Sequence, residues 1–191
     1  MIEIRIHGRG GQGSVVGAYV LATAAIGLGR FAQAFPAFGA ERRGAPVAAF
    51  VRLADAPIRR RCQVAHPAFV IIQDETLAAL PETLAGLLPK GGVVMNSPND
   101  SDALSSTLGR PVYALPATRL SLEAFGRAMP NTALLAAFLM LTELLPVRGL
   151  KDALAQRFKG EVLARNLALI DQVAAATPSG LWKDRMYAAS A

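Results

Sequence analysis

The sequence predicts an α/β fold, a single domain with a mostly parallel sheet and a helical C-terminal third. Short apolar segments alternate with helical segments over residues 1–116, and from Ser121 onward every segment is helical. The chain has 191 residues, 52% hydrophobic and 18% charged, which suits one compact domain and excludes disorder and coiled coil. With no internal repeat or low-complexity linker, we expect one domain over residues 1–178 and a tail over residues 179–191.

The individual elements follow from apolar periodicity and from the residues that end them. Apolar and polar residues alternate from Ile2 to Ile6, which predicts a first strand. An alanine- and valine-rich helix follows from Ser14 to Leu28 and is ended by Gly27 and Gly29. Further strands are predicted at residues 30–35, 47–53, 69–73, 93–95 and 111–115. Further helices are predicted at residues 77–88, interrupted near Pro81, and at residues 122–129, 131–145, 150–158 and 160–176.

The longest apolar run lies in the predicted helix 131–145. It extends from Ala133 to Leu141, well short of the ~20 residues that a membrane helix needs. A helix that is apolar on every face is covered on all sides, so we expect a core helix, with a subunit interface as the alternative. The N-terminus has no signal-peptide pattern, and the single cysteine, Cys62, cannot alone hold an iron–sulfur cluster or zinc. We therefore expect a cytoplasmic protein without a membrane segment.

The net charge of +6 is concentrated at the start of the chain. Residues 1–61 hold nine arginines and three acids, whereas the remainder is balanced. Arginine forms planar, bidentate contacts with phosphate and carboxylate, which favours an anionic ligand or an acidic partner; a merely arginine-rich surface is the alternative. The run Arg59–Arg61 is expected to be a solvated face or a partner contact, with phosphate binding as its alternative. Nucleic acid is not expected, because no recognition motif or interleaved aromatic residue accompanies the arginines.

A glycine-rich loop follows the first predicted strand and opens the first helix. Its residues fit the pattern GxGxxG, in which glycines let the backbone approach a ligand and the helix start favours an anion. A dinucleotide site would also need an acid near the end of the second strand, and residues 30–35 contain none. The alternative interpretation, a tight strand-to-helix turn that binds no ligand, is therefore retained. His7, beside the loop, is expected to be either a satisfied strand-end residue or a phosphate donor.

The second constellation is the loop between Phe35 and Val47. Two prolines, two glycines and the cluster Glu41-Arg42-Arg43 make it too structured in composition for a passive linker. It follows the second strand, so we expect it at the same edge of the sheet as the glycine loop, where open α/β sheets place ligands. A surface loop held by its own ion pairs is the alternative.

These motifs together resemble one known family. The glycine loop Gly8–Gly13, the segment Phe38–Val47 and Phe50-Val51-Arg52 are similar to the gamma subunit of the 2-oxoacid:ferredoxin oxidoreductases. This family comprises pyruvate, 2-oxoisovalerate, 2-oxoglutarate, indolepyruvate and phenylglyoxylate oxidoreductases. Phe158-Lys159-Gly160-Glu161 and Asn166-Leu167 resemble a late motif of the same family. The resemblance spans nearly the whole chain, except that residues 119–145 match loosely and the tail does not match.

The resemblance implies a Rossmann-like subunit that has no activity alone. Its complex would use thiamine diphosphate and Mg²⁺ to decarboxylate a 2-oxoacid, pass electrons through [4Fe-4S] clusters to ferredoxin or another acceptor, and release an acyl-CoA. Those cofactors would lie on alpha, beta and ferredoxin-like delta subunits, whereas this chain would assist assembly and bind coenzyme A at its surface. No catalytic residue or metal ligand is expected here. The expected binding residues are Gly8, Arg9, Gly10, Gly11, Gln12, Gly13, Phe38, Gly39, Glu41, Arg42 and Arg43.

The tail carries Trp182, Met186 and Tyr187, which are residue types that anchor interfaces, so we expect it to dock on another subunit. An independent Rossmann-type protein that binds NAD or another nucleotide remains the alternative function. The missing acid after the second strand argues against it.

Overall fold

The computed structural model describes residues 1–37 and 44–187, and it contains one six-stranded sheet flanked by helices. The strand order is β2-β3-β1-β4-β5-β6. The strands are β1 (Ile2–Arg9), β2 (Phe31–Pro36), β3 (Pro46–Ala54), β4 (Phe69–Ile72), β5 (Gly92–Asn96) and β6 (Val112–Leu115). Each of the six lies where the sequence predicts a strand. The predicted α/β fold class is confirmed.

The sheet is parallel on one side of β1 and antiparallel on the other. β4, β5 and β6 follow β1 in parallel, whereas β3 pairs antiparallel with both β1 and β2. The second and third strands therefore form a hairpin, which the sequence pattern did not predict. The cause is the connection over residues 37–45, which is too short for the helical crossover that a parallel pair requires.

The helices are α1 (Ser14–Gly27), α2 (Pro81–Leu84), α3 (Ser101–Leu108), α4 (Ala117–Phe125), α5 (Asn131–Thr142), α6 (Val147–Arg157), α7 (Gly160–Ala176) and α8 (Lys183–Tyr187). A 3₁₀ helix, Glu75–Ala79, precedes α2. The helix α7 has the predicted bounds, and α4 begins earlier than predicted. Helix α3 was not predicted. Asp100 caps α3 by accepting hydrogen bonds from the backbone N–H groups of Asp102 and Ala103, each at 3.0 Å.

Two hydrophobic cores lie on opposite faces of the sheet. The larger core joins Ile2, Ile4 and Ile6 of β1 to α1, α5, α6 and α7. The smaller one joins β4, β5 and β6 to the 3₁₀ helix and α3. In the part of the chain that the structure describes, no helix combines the length and the apolar character that a membrane span needs.

Helix α5 is the centre of the larger core. All of its residues except Met140 are buried, and Phe138 packs edge-on against Phe69 of β4 at 5.3 Å between ring centroids. The expectation of a core helix is thereby confirmed. Its uniform apolarity has a simple cause, because α5 contacts the sheet on one side and other helices on the others.

The start of the tail folds onto its own chain. The backbone N–H groups of Gly180 and Trp182 donate to the carbonyls of Met140 and Leu141, at 2.8 and 2.7 Å. The Trp182 ring is 4% exposed and stacks on Phe69. This side chain anchors the tail within the chain's own core, which differs from the expected contact with a partner. Docking of the residues beyond it remains a prediction.

Candidate functional site

The glycine loop lies where the sequence predicts it, between the carboxyl end of β1 and the start of α1. Gly13 is the N-cap of α1 and has φ 84°, a left-handed conformation that favours glycine. A Cβ at Gly8 would meet the Ser14 hydroxyl oxygen at 2.3 Å, so this position has no room for a side chain. The loop is therefore a tight turn that requires glycine at these two positions.

Arg9 holds this loop in place through three partners. Its Nε donates to the Asp74 carboxylate at 2.9 Å, its Nη1 to the carbonyl of Gly44 at 3.1 Å and its Nη2 to the Thr76 hydroxyl at 2.7 Å. Burial alone would raise the pKa of Asp74, but hydrogen bonds from Thr76 and the charge of Arg9 together lower it. Asp74 is therefore ionised at neutral pH and balances the charge of Arg9. The guanidinium positions the loop instead of offering a free cation.

Gln12 closes the loop from within. Its side-chain oxygen accepts a hydrogen bond from the backbone N–H of Arg9 at 2.7 Å, and its backbone N–H donates to the Arg9 carbonyl at 3.0 Å. Both groups are satisfied inside the turn. Gln12 thus has a structural role in this structure.

The ends of the second loop meet the glycine loop. The N–H of Gly10 donates to the carbonyl of Ala45 at 3.0 Å, and the N–H of Gly44 donates to the carbonyl of Gly10 at 3.4 Å. The β2–β3 hairpin brings them together, because β3 begins opposite Arg9 with Pro46. The expected binding residues Phe38, Gly39, Glu41, Arg42 and Arg43 lie outside the described residues.

His7 lies near the end of β1, and its ring is buried. It is 9% exposed, and its Nε2 has no hydrogen-bond partner among the described residues. Burial and, secondarily, the charge of Arg5 lower the pKa of His7 to about 4. The imidazole is therefore neutral at physiological pH, and it is not the satisfied strand-end residue that the sequence suggests.

Much of the N-terminal arginine excess is used inside the fold. Arg52 is fully buried and pairs with Glu3 at 2.7 Å, while it also donates to the Cys62 carbonyl at 2.7 Å. Arg5 donates to the carbonyls of Thr83 and Ala85, at 3.0 and 2.6 Å, and burial lowers its pKa. These arginines stabilise loops that cover the sheet, an outcome that neither interpretation of the charge pattern anticipated.

The late motif has a packing role in the described structure. Asn166 of α7 accepts a hydrogen bond from the Thr132 hydroxyl of α5 at 2.9 Å and donates to the Val162 carbonyl at 2.8 Å. Phe158 and Asn166 line a cavity of about 390 Å³ between α1, α5, α6 and α7. The described residues contain no cluster of three histidine, cysteine or acidic side chains that could hold a metal ion.

Sequence reasoning missed several residues that build this edge. Asp74 and Gln73 follow β4, and Gln73 accepts a hydrogen bond from the Ser14 hydroxyl at 3.1 Å. Asn131 begins α5 and packs against Gly13, donating to its carbonyl at 3.4 Å. The position of Gln73 and Asp74 directly after a buried strand was an available signal, whereas the approach of Asn131 depends on tertiary packing.

The fold and this edge define a class of protein. The chain is an α/β domain in which the start of helix α1 is compatible with an anion. A dinucleotide site also needs an acid at the end of the second strand, and the described β2 has none. β3 separates β2 from β1, and the sequence of β2 contains no acid. These features define an α/β domain of Rossmann-like type whose β2 departs from the dinucleotide-binding pattern.

Comparison with known proteins identifies the family. Residues 3–176 match the pyruvate ferredoxin/flavodoxin oxidoreductase family. The chain is 45% identical to the pyruvate synthase subunit PorC of Methanocaldococcus jannaschii, over 87% of this chain and 91% of that protein. It is 41% identical to the common gamma subunit of the pyruvate/ketoisovalerate oxidoreductases of Pyrococcus abyssi, with coverages of 87% and 91%.

A solved structure agrees with this assignment. The crystal structure of the pyruvate oxidoreductase subunit PORC of Thermotoga maritima superposes with a TM-score of 0.81 at 32% identity, covering 91% of this chain and 95% of that one. The chain therefore belongs to the pyruvate ferredoxin/flavodoxin oxidoreductase family. It is a gamma subunit of a 2-oxoacid:ferredoxin oxidoreductase and acts as part of a multi-subunit enzyme complex.

Proposed function

We propose that this gamma subunit assists assembly of the complex and covers coenzyme A with the edge formed by its two loops. The observation that carries the proposal is the direct joining of these loops, through the hydrogen bonds between Gly10 and the pair Gly44 and Ala45. Two segments that the sequence marks separately thereby contribute to one surface. Coenzyme A is rich in phosphate, which suits the start of α1 and the arginines in the sequence of the second loop.

The electrostatics of α1 support an anion at this edge. The first turn of α1 contains no acid, and Gly13 provides no side-chain cap. The start of a helix carries a partial positive charge of about half a unit, which favours an anion there. Because Asp74 balances the charge of Arg9, we assign the cations of the proposed site to Arg42 and Arg43, and we expect Glu41 to restrain them.

The reaction itself takes place on the other subunits in this proposal. Alpha and beta subunits carry thiamine diphosphate and Mg²⁺, and beta and a ferredoxin-like delta subunit carry the [4Fe-4S] clusters. Electrons leave to ferredoxin or another acceptor. The chain offers a lone cysteine, Cys62, where a cluster needs several thiolates. The gamma subunit is therefore inactive alone and acts through substrate binding and assembly.

Steady-state kinetics of the complete complex test the proposal. Replacing Arg42 by alanine, and separately Arg43, removes one charge-assisted hydrogen bond to phosphate, worth about 1.5–3 kcal/mol. A loss of this free energy should raise the KM for coenzyme A about tenfold to a hundredfold. The KM for the 2-oxoacid should stay nearly unchanged.

The matched control is Arg59→Ala, which removes the same charge from an exposed position outside both loops. It should leave both KM values unchanged. Unaltered coenzyme A kinetics in intact Arg42 and Arg43 variants would overturn coenzyme A binding. If those variants instead lose subunits from the complex, the surface docks acidic groups of a partner.

A further inference from the structure

The two edges of the sheet are finished in different ways. At the β6 edge, the chain satisfies its own backbone. The N–H of Val112 donates to the Ser105 hydroxyl at 2.8 Å, and the N–H of Ala114 donates to the Ser101 hydroxyl at 3.0 Å. Both serines belong to α3, so this helix covers the edge.

The β2 edge has no such cover among the described residues. The N–H of Ala37 donates to the carbonyl of Ala48, and in an antiparallel ladder only every second residue bonds to the partner strand. The N–H and C=O groups of Ala32 and Ala34 therefore point away from β3. No strand and no side chain within residues 1–37 and 44–187 bonds to these outward groups. A β-strand edge of this kind is a template for pairing with another chain.

The sequence of β2 does not protect this edge either. Natural edge strands are commonly protected by charges, bulges or short length. β2 has six residues, no charge and an unbroken register with β3, and its proline stands at the end. Such an edge is compatible with a stable protein when another chain covers it.

The surroundings of β2 indicate the chemistry of what covers it. A groove of about 490 Å³ follows the strand, and its lining includes Tyr19 and Ile26 of α1 together with Arg60 and Arg61. Tyr19 and Ile26 are 45% and 58% exposed. Arg60 has a single, long contact with Glu3 at 3.8 Å, and Arg61 has no acid partner within the described residues. The lining of the groove thus combines exposed apolar side chains with two arginines.

We infer that β2 accepts a strand from a different subunit of the complex, and that this strand carries acidic side chains facing Arg60 and Arg61. A second copy of this chain fits poorly, because a symmetric pairing would bring two uncharged strands and two pairs of arginines into one groove. The inference rests on membership of a multi-subunit complex and is independent of coenzyme A binding.

Hydrogen exchange in the intact complex tests the strand addition. The amides of Ala32 and Ala34 should be as protected as those of Val112 and Ala114, which have partners within the chain. Exchange of the two β2 amides at the rate of unprotected amides would overturn the inference.

A proline substitution tests the same contact by assembly. Ala34→Pro removes one outward N–H and leaves the β3 ladder intact, since proline is tolerated at a strand edge. The complex should release this subunit about tenfold more readily, the effect of about one lost hydrogen bond. Ala34→Val keeps the N–H and serves as the control. Equal retention of the alanine and proline forms would contradict the inference.

Cross-linking identifies the facing residues. Arg60→Lys retains the charge and allows a carbodiimide to couple its amine directly to a neighbouring carboxylate. Beside a link to Glu3 of the same chain, the expected product joins residue 60 to an aspartate or glutamate of another subunit. Arg148→Lys, at an exposed position on α6, is the control and should give no such product. A product with a second copy of this chain, or none with another subunit, would overturn the inference.

Discussion

The two faces of strand β1 are both buried, but by different means. On one face, Ile2, Ile4 and Ile6 of β1 pack beneath apolar helices. On the other, the intervening residues Arg5 and His7 are polar yet buried, and each has a side-chain nitrogen without a partner in the part of the chain that the structure describes. The difference shows that alternation along a strand need not indicate a solvent-exposed face, because arginine–carbonyl and arginine–carboxylate contacts can cover it instead.

Truncating the apolar face should have the largest effect. Phe138→Ala removes a fully buried ring that contacts Phe69 and should lower the free energy of unfolding by about 3–5 kcal/mol. Urea-dependent pulse proteolysis of the subunit measures this quantity. Phe138→Leu is the control and should cost much less, because most of the volume is kept. A loss below about 1 kcal/mol for the alanine variant would show that the core can collapse around the gap.

Breaking the charged face should come next. Glu3→Gln leaves Arg52, whose side chain is 0% exposed, without its carboxylate, and should cost about 3 kcal/mol of stability in the same assay. An uncompensated buried charge is the cause. Glu82→Gln, at an exposed position of α2, is the control and should be nearly neutral. Equal stabilities of the two variants would contradict a structural role for the Arg52–Glu3 pair.

The pH dependence of the polar face should be smaller. Because the pKa of His7 is about 4 in the folded state and 6.5 in the unfolded chain, the unfolded chain binds more protons between these values. Stability should therefore rise with pH through this window, and this residue should cost about 2 kcal/mol on going from pH 7 to pH 5. His7→Gln should remove that slope. An unchanged slope in the variant would assign it to other groups.

The smallest effect is expected at an exposed pair of the same type. Arg30 bonds to Asp55 at 2.9 Å, but the Asp55 side chain is 87% exposed. Asp55→Asn should change the free energy of unfolding by less than about 1 kcal/mol, since solvent screens the charges. A loss as large as that of Glu3→Gln would show that burial does not separate the two pairs.

The sequence predicted most of the elements but not all of their pairing. Six strands and the bounds of α7 follow from local apolar patterns, which the tertiary structure respects. The antiparallel hairpin was missed because strand direction depends on the length of the connection, not on the strand itself. Helix α3 was missed because its sequence contains a run of three consecutive serine and threonine residues. These residue types favour helix interiors only weakly.

The position of the candidate site was predictable from the sequence, whereas the bonding partners of its side chains were not. The glycine pattern located the turn after β1 and the start of α1. The charge of Arg9 suggested a ligand contact, yet Asp74 lies 65 residues further along the chain and becomes its neighbour only in the folded sheet. A residue's partners across the sheet are not encoded in its local sequence.

The position of Trp182 has a consequence for how the chain is made. Its ring stacks on Phe69, which precedes it by about 110 residues. At a synthesis rate of about 5–20 residues per second, β4 waits roughly 6–20 s for this ring after leaving the ribosome. During that interval the apolar surface at Phe69 is open to chaperones and to premature contacts with other nascent subunits. Closure of this part of the core therefore waits for synthesis of the C-terminal segment.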